Sequence, residues 1–182
     1  MPSDGLSMRL VAAAACLAAA LACGCEPAEL DWTRVEPPVS APAFTLPALD
    51  GGEVRLDDAR GEVVIMEFWA TWCGPCRYTM PSLDLIHRRH RDRGLRVFLI
   101  NVGEDPDTVR KFVGEKFRTP VLLDETRQVA RRYGVSGIPR LFVIDQEGRV
   151  LYAEAGYEGW LERRLELVLD ELLGEEGAPH GN

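Results

Sequence analysis

Apolar and polar positions recur in clear periods along most of this chain, and they lay out an alternating order of strands and helices. VVIMEFWA, Val63 to Ala70, is an almost unbroken run of strand-forming apolar residues, the pattern of a central strand buried on both faces. Only Glu67 interrupts it. From Pro75 to about Arg91 the apolar positions Met80, Leu83, Leu85 and Ile86 sit at helical spacing, with Gly94 as a stop. LRVFLINV follows as a strand. Asp105 to Phe117 reads as a second amphipathic helix, opened by a proline and by acids at its positive end. TPVLLD is then a strand and ETRQVARRYGV a short helix ending near Gly134. RLFVIDQEGRVLYAEAG gives two strands joined at Glu147-Gly148, and EGWLERRLELVLDELL a closing helix. Ahead of them all, FTLPALDGGEVRLDDARGE sets an Asp-Gly-Gly turn between two extended pieces, an N-terminal hairpin. This order predicts a mixed sheet between helices on both faces.

The periodicity fails at both ends. Residues 26–42, EPAELDWTRVEPPVSAP, are rich in proline and acid and read as a flexible tether; residues 175–182 read as a disordered tail. The folded domain is expected over 43–174. Before the tether, LVAAAACLAAALA is a secretory apolar stretch, too short for a comfortable transmembrane helix, so 1–25 reads as a signal. Ala22 before Cys23 and Gly24 before Cys25 resemble the lipobox of bacterial lipoproteins, which makes Cys23 or Cys25 the lipid-modified residue. The usual leucine three residues earlier is Ala20 or Ala22 here. A plain cleaved signal or an uncleaved anchor are the alternatives.

Charge removes one class of partner. The net charge of −8 is spread along the chain and leaves no electrostatic footprint for nucleic acid. Cysteine usage adds another constraint. Cys16 leaves with the signal and Cys23 or Cys25 carries lipid, so Cys73 and Cys76 are the only cysteines of the folded domain. A disulfide between them closes a loop too small to constrain the unfolded chain much, which points to chemistry rather than stability.

The pair falls where the first long strand turns into the first long helix. Cys73, at the helix start, lies by unpaired N–H groups and the positive end of the dipole, which should lower its pKa. Cys76, one turn inside the helix, is expected to be shielded. Cys73 then attacks a substrate disulfide and Cys76 resolves the mixed disulfide, with Pro75 fixing the turn between them. Glu67, if buried, should have a raised pKa and can take the proton from Cys76; strand alternation could instead turn it to solvent or a salt bridge. Pro139 in GVSGIPRLFVID is either a strand-opening proline or a cis-proline in a tight turn, and periodicity does not separate the two.

Together, VVIMEFWATWCGPCRYTMP and YGVSGIPRLFVIDQEGRV resemble the thioredoxin superfamily. The hairpin sequence before them and the inserted NVGEDPDTVRKFVGEKFRTPVLLDE resemble its TlpA/ResA branch of membrane-anchored thiol–disulfide oxidoreductases. The resemblance implies a thioredoxin fold with an N-terminal hairpin and a central insertion. It makes Cys73 the nucleophile, Cys76 the resolving thiol, Trp72 the aromatic flank of the site, Gly74 and Pro75 the dipeptide between the thiols, and Pro81 a kink in the helix. Pro139 becomes the cis-proline facing the cysteines, and Ile138 beside it offers backbone hydrogen bonds to an extended substrate. Glu67 falls where thioredoxin has a buried aspartate. Arg140 stands where the family usually has threonine, either as a solvated strand-end cation or as a cation near the Cys73 thiolate.

These readings combine into an extracytoplasmic, membrane-anchored, monomeric reductase of oxidised envelope proteins, with apocytochrome c among the clients implied by the family. It is recharged by a membrane electron donor and uses no cofactor beyond the Cys73–Cys76 disulfide. A metal site is not expected: the histidines are His87, His90 and His180, and none is placed to complete a site with the pair. A thiol oxidant, a thiol peroxidase of the same fold and a non-catalytic chaperone-like binder are the competing readings. HRRHRDR, His87 to Arg93, reads as a solvated helix end whose cations suit the dipole, with a docking patch as the alternative.

Overall fold

The computed structural model describes residues 33–157 and 159–174, which belong to one compact unit. Its centre is β4 (Val63–Trp69), buried at every position, with the apolar run covered on both faces. β4 pairs in parallel with β5 (Leu95–Val102), and β5 with β6 (Val121–Asp124). On its other side β4 pairs antiparallel with β7 (Arg140–Ile144), and β7 with β8 (Arg149–Ala155). β1 (Arg34–Ser40) closes that edge, so the sheet runs β1-β8-β7-β4-β5-β6. Thr45–Pro47 (β2) and Glu53–Arg55 (β3) form the N-terminal hairpin, which reaches β6 through the Leu49 N–H bond to the Val121 carbonyl.

Alternation divides β4 between two apolar layers. Val63, Ile65 and Trp69 pack with α1 (Cys76–His90) and α4 (Leu161–Leu173), while Val64, Met66 and Phe68 pack with the layer around Phe44, Val129 and Tyr133. The central insertion carries α2 (Pro106–Val113), shorter than the span to Phe117 that the pattern predicts because Gly114 ends it at φ 52°. Gly94 stops the first helix region as expected, in a left-handed conformation at φ 92°. α3 (Gln128–Arg132) is held at its start by the buried Asp124, which accepts from the Val129 and Ala130 N–H groups.

Two further expectations change. Arg34–Ser40, assigned to a flexible tether over 26–42, is instead a strand, and the domain starts before 43. It is an edge strand, the place where Pro37 and Pro38 are tolerated, and its register on β8 slips between Arg34 and Val39. The HRRHRDR segment is not a solvated end throughout: His90 is fully buried, 2.7 Å from Glu166 on α4, and Arg89 pairs with the same carboxylate. Those contacts tie the end of α1 to the closing helix. The Cys23 and Cys25 assignments and the tail at 175–182 lie outside the described residues. No helix among the described residues is long and apolar enough to cross a membrane.

Candidate active site

β4 ends at Trp69, and the chain turns through Thr71–Pro75 into α1. Cys73 and Cys76 are joined by a disulfide across that turn, with Cα atoms 5.4 Å apart. Cys76 is the first residue of α1, one turn earlier than its expected place, and Pro75 caps it in helical conformation. Cys73 lies just outside the helix and takes a bond of 3.2 Å from the Cys76 N–H to its sulfur. An N–H directed at that sulfur from the positive end of a fifteen-residue helix favours negative charge there. Cys76 is fully buried and Cys73 is 4% exposed. Gly74 and Pro75 are exposed above them, and Trp72 beside them is exposed to 68%.

The Ile138–Pro139 peptide is cis, which resolves the two readings of Pro139. Pro139 is buried and Ile138 half-buried, packed against both apolar layers. The Pro139 carbonyl accepts from the Gly156 N–H at 3.0 Å, which joins this loop to the end of β8. Because β7 runs antiparallel to β4, the start of β7 and the end of β4 share one edge of the sheet, with Phe68 opposite Arg140. The cis-proline loop and the cysteine turn, far apart in sequence, thereby open at the same end of the molecule.

Glu67 does not reach solvent. It is fully buried on the α1 face of β4, and its Oε1 accepts from the Thr79 hydroxyl at 2.5 Å. Burial pushes its carboxyl up from 4.5 to about 8, and the Thr79 bond opposes that rise. Arg140 is not among the cysteines. Its guanidinium lies over the Phe142 ring, 5.4 Å from the centroid, on the sheet face away from α1. That stacking on the face opposite α1 suits a strand-end cation.

A further carboxylate lies at the site. Glu104, in the acidic stretch just before the second helix, reaches back to the cysteine turn: it accepts from the Thr71 N–H at 2.7 Å and the Thr71 hydroxyl at 2.6 Å, and from Asn101 at 2.7 Å. Asp105 takes the helix-opening role instead, accepting from the Thr108 N–H. Tyr78 on the outer side of α1 and Tyr157 after β8 also stack, with centroids 5.6 Å apart. The Glu104 acid run was visible in sequence, but its partner, thirty-three residues away, was not.

The redoxin family model matches residues 38–169, which starts inside β1 and ends in α4. The thiol–disulfide oxidoreductase ResA of Geobacillus kaustophilus is 37% identical over 71% of this chain and 76% of its own. ResA of Geobacillus thermodenitrificans is 40% identical over 61% of this chain; the match spans 64% of that relative's length. Among solved structures, a Chlorobium tepidum protein described as thiol:disulfide interchange protein DsbE superposes with a TM-score of 0.70 at 34% identity, covering 75% of this chain and 97% of the other. The disulfide at a helix start, the cis-proline loop beside it and these matches agree: the chain belongs to the redoxin family of the thioredoxin superfamily, as a ResA-like thiol–disulfide oxidoreductase.

Proposed function

We propose that this protein reduces disulfides of envelope proteins outside the cytoplasm, held at a membrane by a lipid on Cys23 or Cys25. The observation that carries the reading is the asymmetry of the pair: one sulfur sits at the mouth of the site under an N–H donor, the other is sealed beneath it. In the reduced protein the Cys73 thiolate attacks one sulfur of the substrate disulfide; a mixed disulfide forms and the other substrate sulfur leaves as a thiolate that takes a proton from water. Cys76 then gives its proton to ionised Glu67 and attacks the Cys73 sulfur. The second substrate thiol leaves, and the two electrons of the dithiol have passed to the substrate. What remains is the disulfide described above.

The Ile138–Pro139 loop holds the substrate in extended form against this turn, by backbone pairing at Ile138, and Trp72, Gly74 and Pro75 form its floor. The chain needs no bound cofactor in this scheme, because the Cys73–Cys76 dithiol itself carries the two electrons. A membrane donor returns the dithiol state, and apocytochrome c with oxidised haem-site cysteines is a client suited to a reductant in this compartment.

Equilibration of the Cys73–Cys76 pair against glutathione or dithiothreitol buffers tests the direction. A potential near about −270 mV supports a reductant, whereas a potential near about −120 mV makes the protein an oxidant of nascent chains.

A further inference from the structure

Thr79 is buried, at 2% exposure, on the turn of α1 that faces β4. Its hydroxyl has two acceptors within reach: Glu67 Oε1 at 2.5 Å and the Cys76 carbonyl at 3.1 Å. A hydroxyl carries one proton and can also accept. Glu67 Oε2, equally buried, has no hydrogen-bond partner among the described residues. The carboxyl is thus held on one side only, by a group that can answer either of its protonation states. When Glu67 is ionised, Thr79 donates to it. When Glu67 is protonated, its O–H can donate to the Thr79 oxygen, and the Thr79 proton turns to the Cys76 carbonyl.

We propose that Thr79 is the positioning residue for proton transfer at this site, holding the Glu67 carboxyl against α1 and changing its own hydrogen-bond donor direction as Glu67 gains or loses the proton of Cys76. This rests on the reading of Glu67 as the proton acceptor given above. Among the described residues, Thr79 is the side chain that hydrogen-bonds the Glu67 carboxyl. Across the sheet Glu67 faces Leu99 on β5 and Leu141 on β7. Among the described residues, the titratable and charged groups of this layer are the two cysteines, Glu154 on β8, which shares the cross-strand row through Leu141, Asp84 and His90 on α1, and Arg164 and Glu166 on α4. None of them is a cause of the Glu67 shift, which comes from burial and is opposed by the Thr79 bond.

The test compares Thr79→Val, which keeps the shape and removes the hydroxyl, with Thr79→Ser, which keeps the hydroxyl, and with Glu67→Gln. Two readouts are taken on the full-length protein: the carboxyl titration of Glu67 by carbon NMR in the oxidised state, and the pH profile of release from a mixed disulfide with a model peptide. Removing the donor to the ionised carboxylate should move the titration and the kinetic midpoint upward from about 8 by about one unit in Thr79→Val, with Thr79→Ser close to the parent. If Thr79→Val titrates like the parent while Glu67→Gln alters the profile, Thr79 is only a packing residue and the proposal fails alone. If Glu67→Gln leaves the profile unchanged, the proton-acceptor reading falls, and Thr79's role falls with it. Thermal melting of all three variants separates a misfolded protein from a shifted titration.

Discussion

A buried carboxyl that titrates near 8 in the folded chain and near 4.5 when unfolded couples stability to pH. The folded state holds a proton that the unfolded chain releases, so the contribution of Glu67 is complete below about pH 4.5 and is lost as pH rises towards 8. The full loss is of the order of 5 kcal/mol. Urea unfolding of the oxidised protein between pH 5 and 8 should therefore show a falling stability from this group, and Glu67→Gln should flatten the slope and be the more stable form at pH 8. At Glu104 the expected sign is opposite: Glu104→Ala removes the acceptor of the Thr71 N–H and hydroxyl, costs about 1–3 kcal/mol, and speeds hydrogen exchange at the Thr71 amide. The two carboxylates differed in legibility for a physical reason. Glu67 stood out because it broke an apolar run, a local signal; Glu104 sat in an acid-rich loop where a helix start explained it without any distant partner.

Elements follow the same division. β4, β5 and α1 were readable because their burial is set by their own period, and the start of β7 because Pro139 marks it. β1 was not. RVEPPVS has exposed or half-exposed positions throughout and earns its place by backbone pairing with β8, which periodicity does not report. The shortened α2 escaped for a related reason, since Gly114 ended the helix where the apolar pattern ran on. Asp84 shows how the insertion is fixed to α1: buried, it accepts from the Arg118 and Thr119 N–H groups and the Thr119 hydroxyl. Asp84→Ala should cost about 2–4 kcal/mol, and hydrogen exchange should localise the loosening to residues 118–120 ahead of β6. At the other end of α1, Glu166→Ala leaves buried His90 without its carboxylate and should lower the melting temperature without altering the redox potential of the pair.

For the whole molecule, the boundary matters more than any single contact. A fragment starting at residue 43, the limit that composition suggested, lacks β1 and bares the β8 edge. It should melt below a fragment starting at residue 33 and self-associate in size-exclusion chromatography, as an open strand edge pairs with its neighbour. The same strand bounds how far the domain could travel from the lipid proposed at Cys25. A tether over 26–42 would have let the active site range up to about 60 Å from a lipid at Cys25. With Arg34–Ser40 bound into the sheet, the eight residues 26–33 between Cys25 and β1 set an upper bound of about 30 Å on that distance, whatever their conformation. Under the proposed lipid anchor, the disulfide would then stay within a thin shell above the bilayer, and clients would have to be brought to that layer rather than met in the wider compartment.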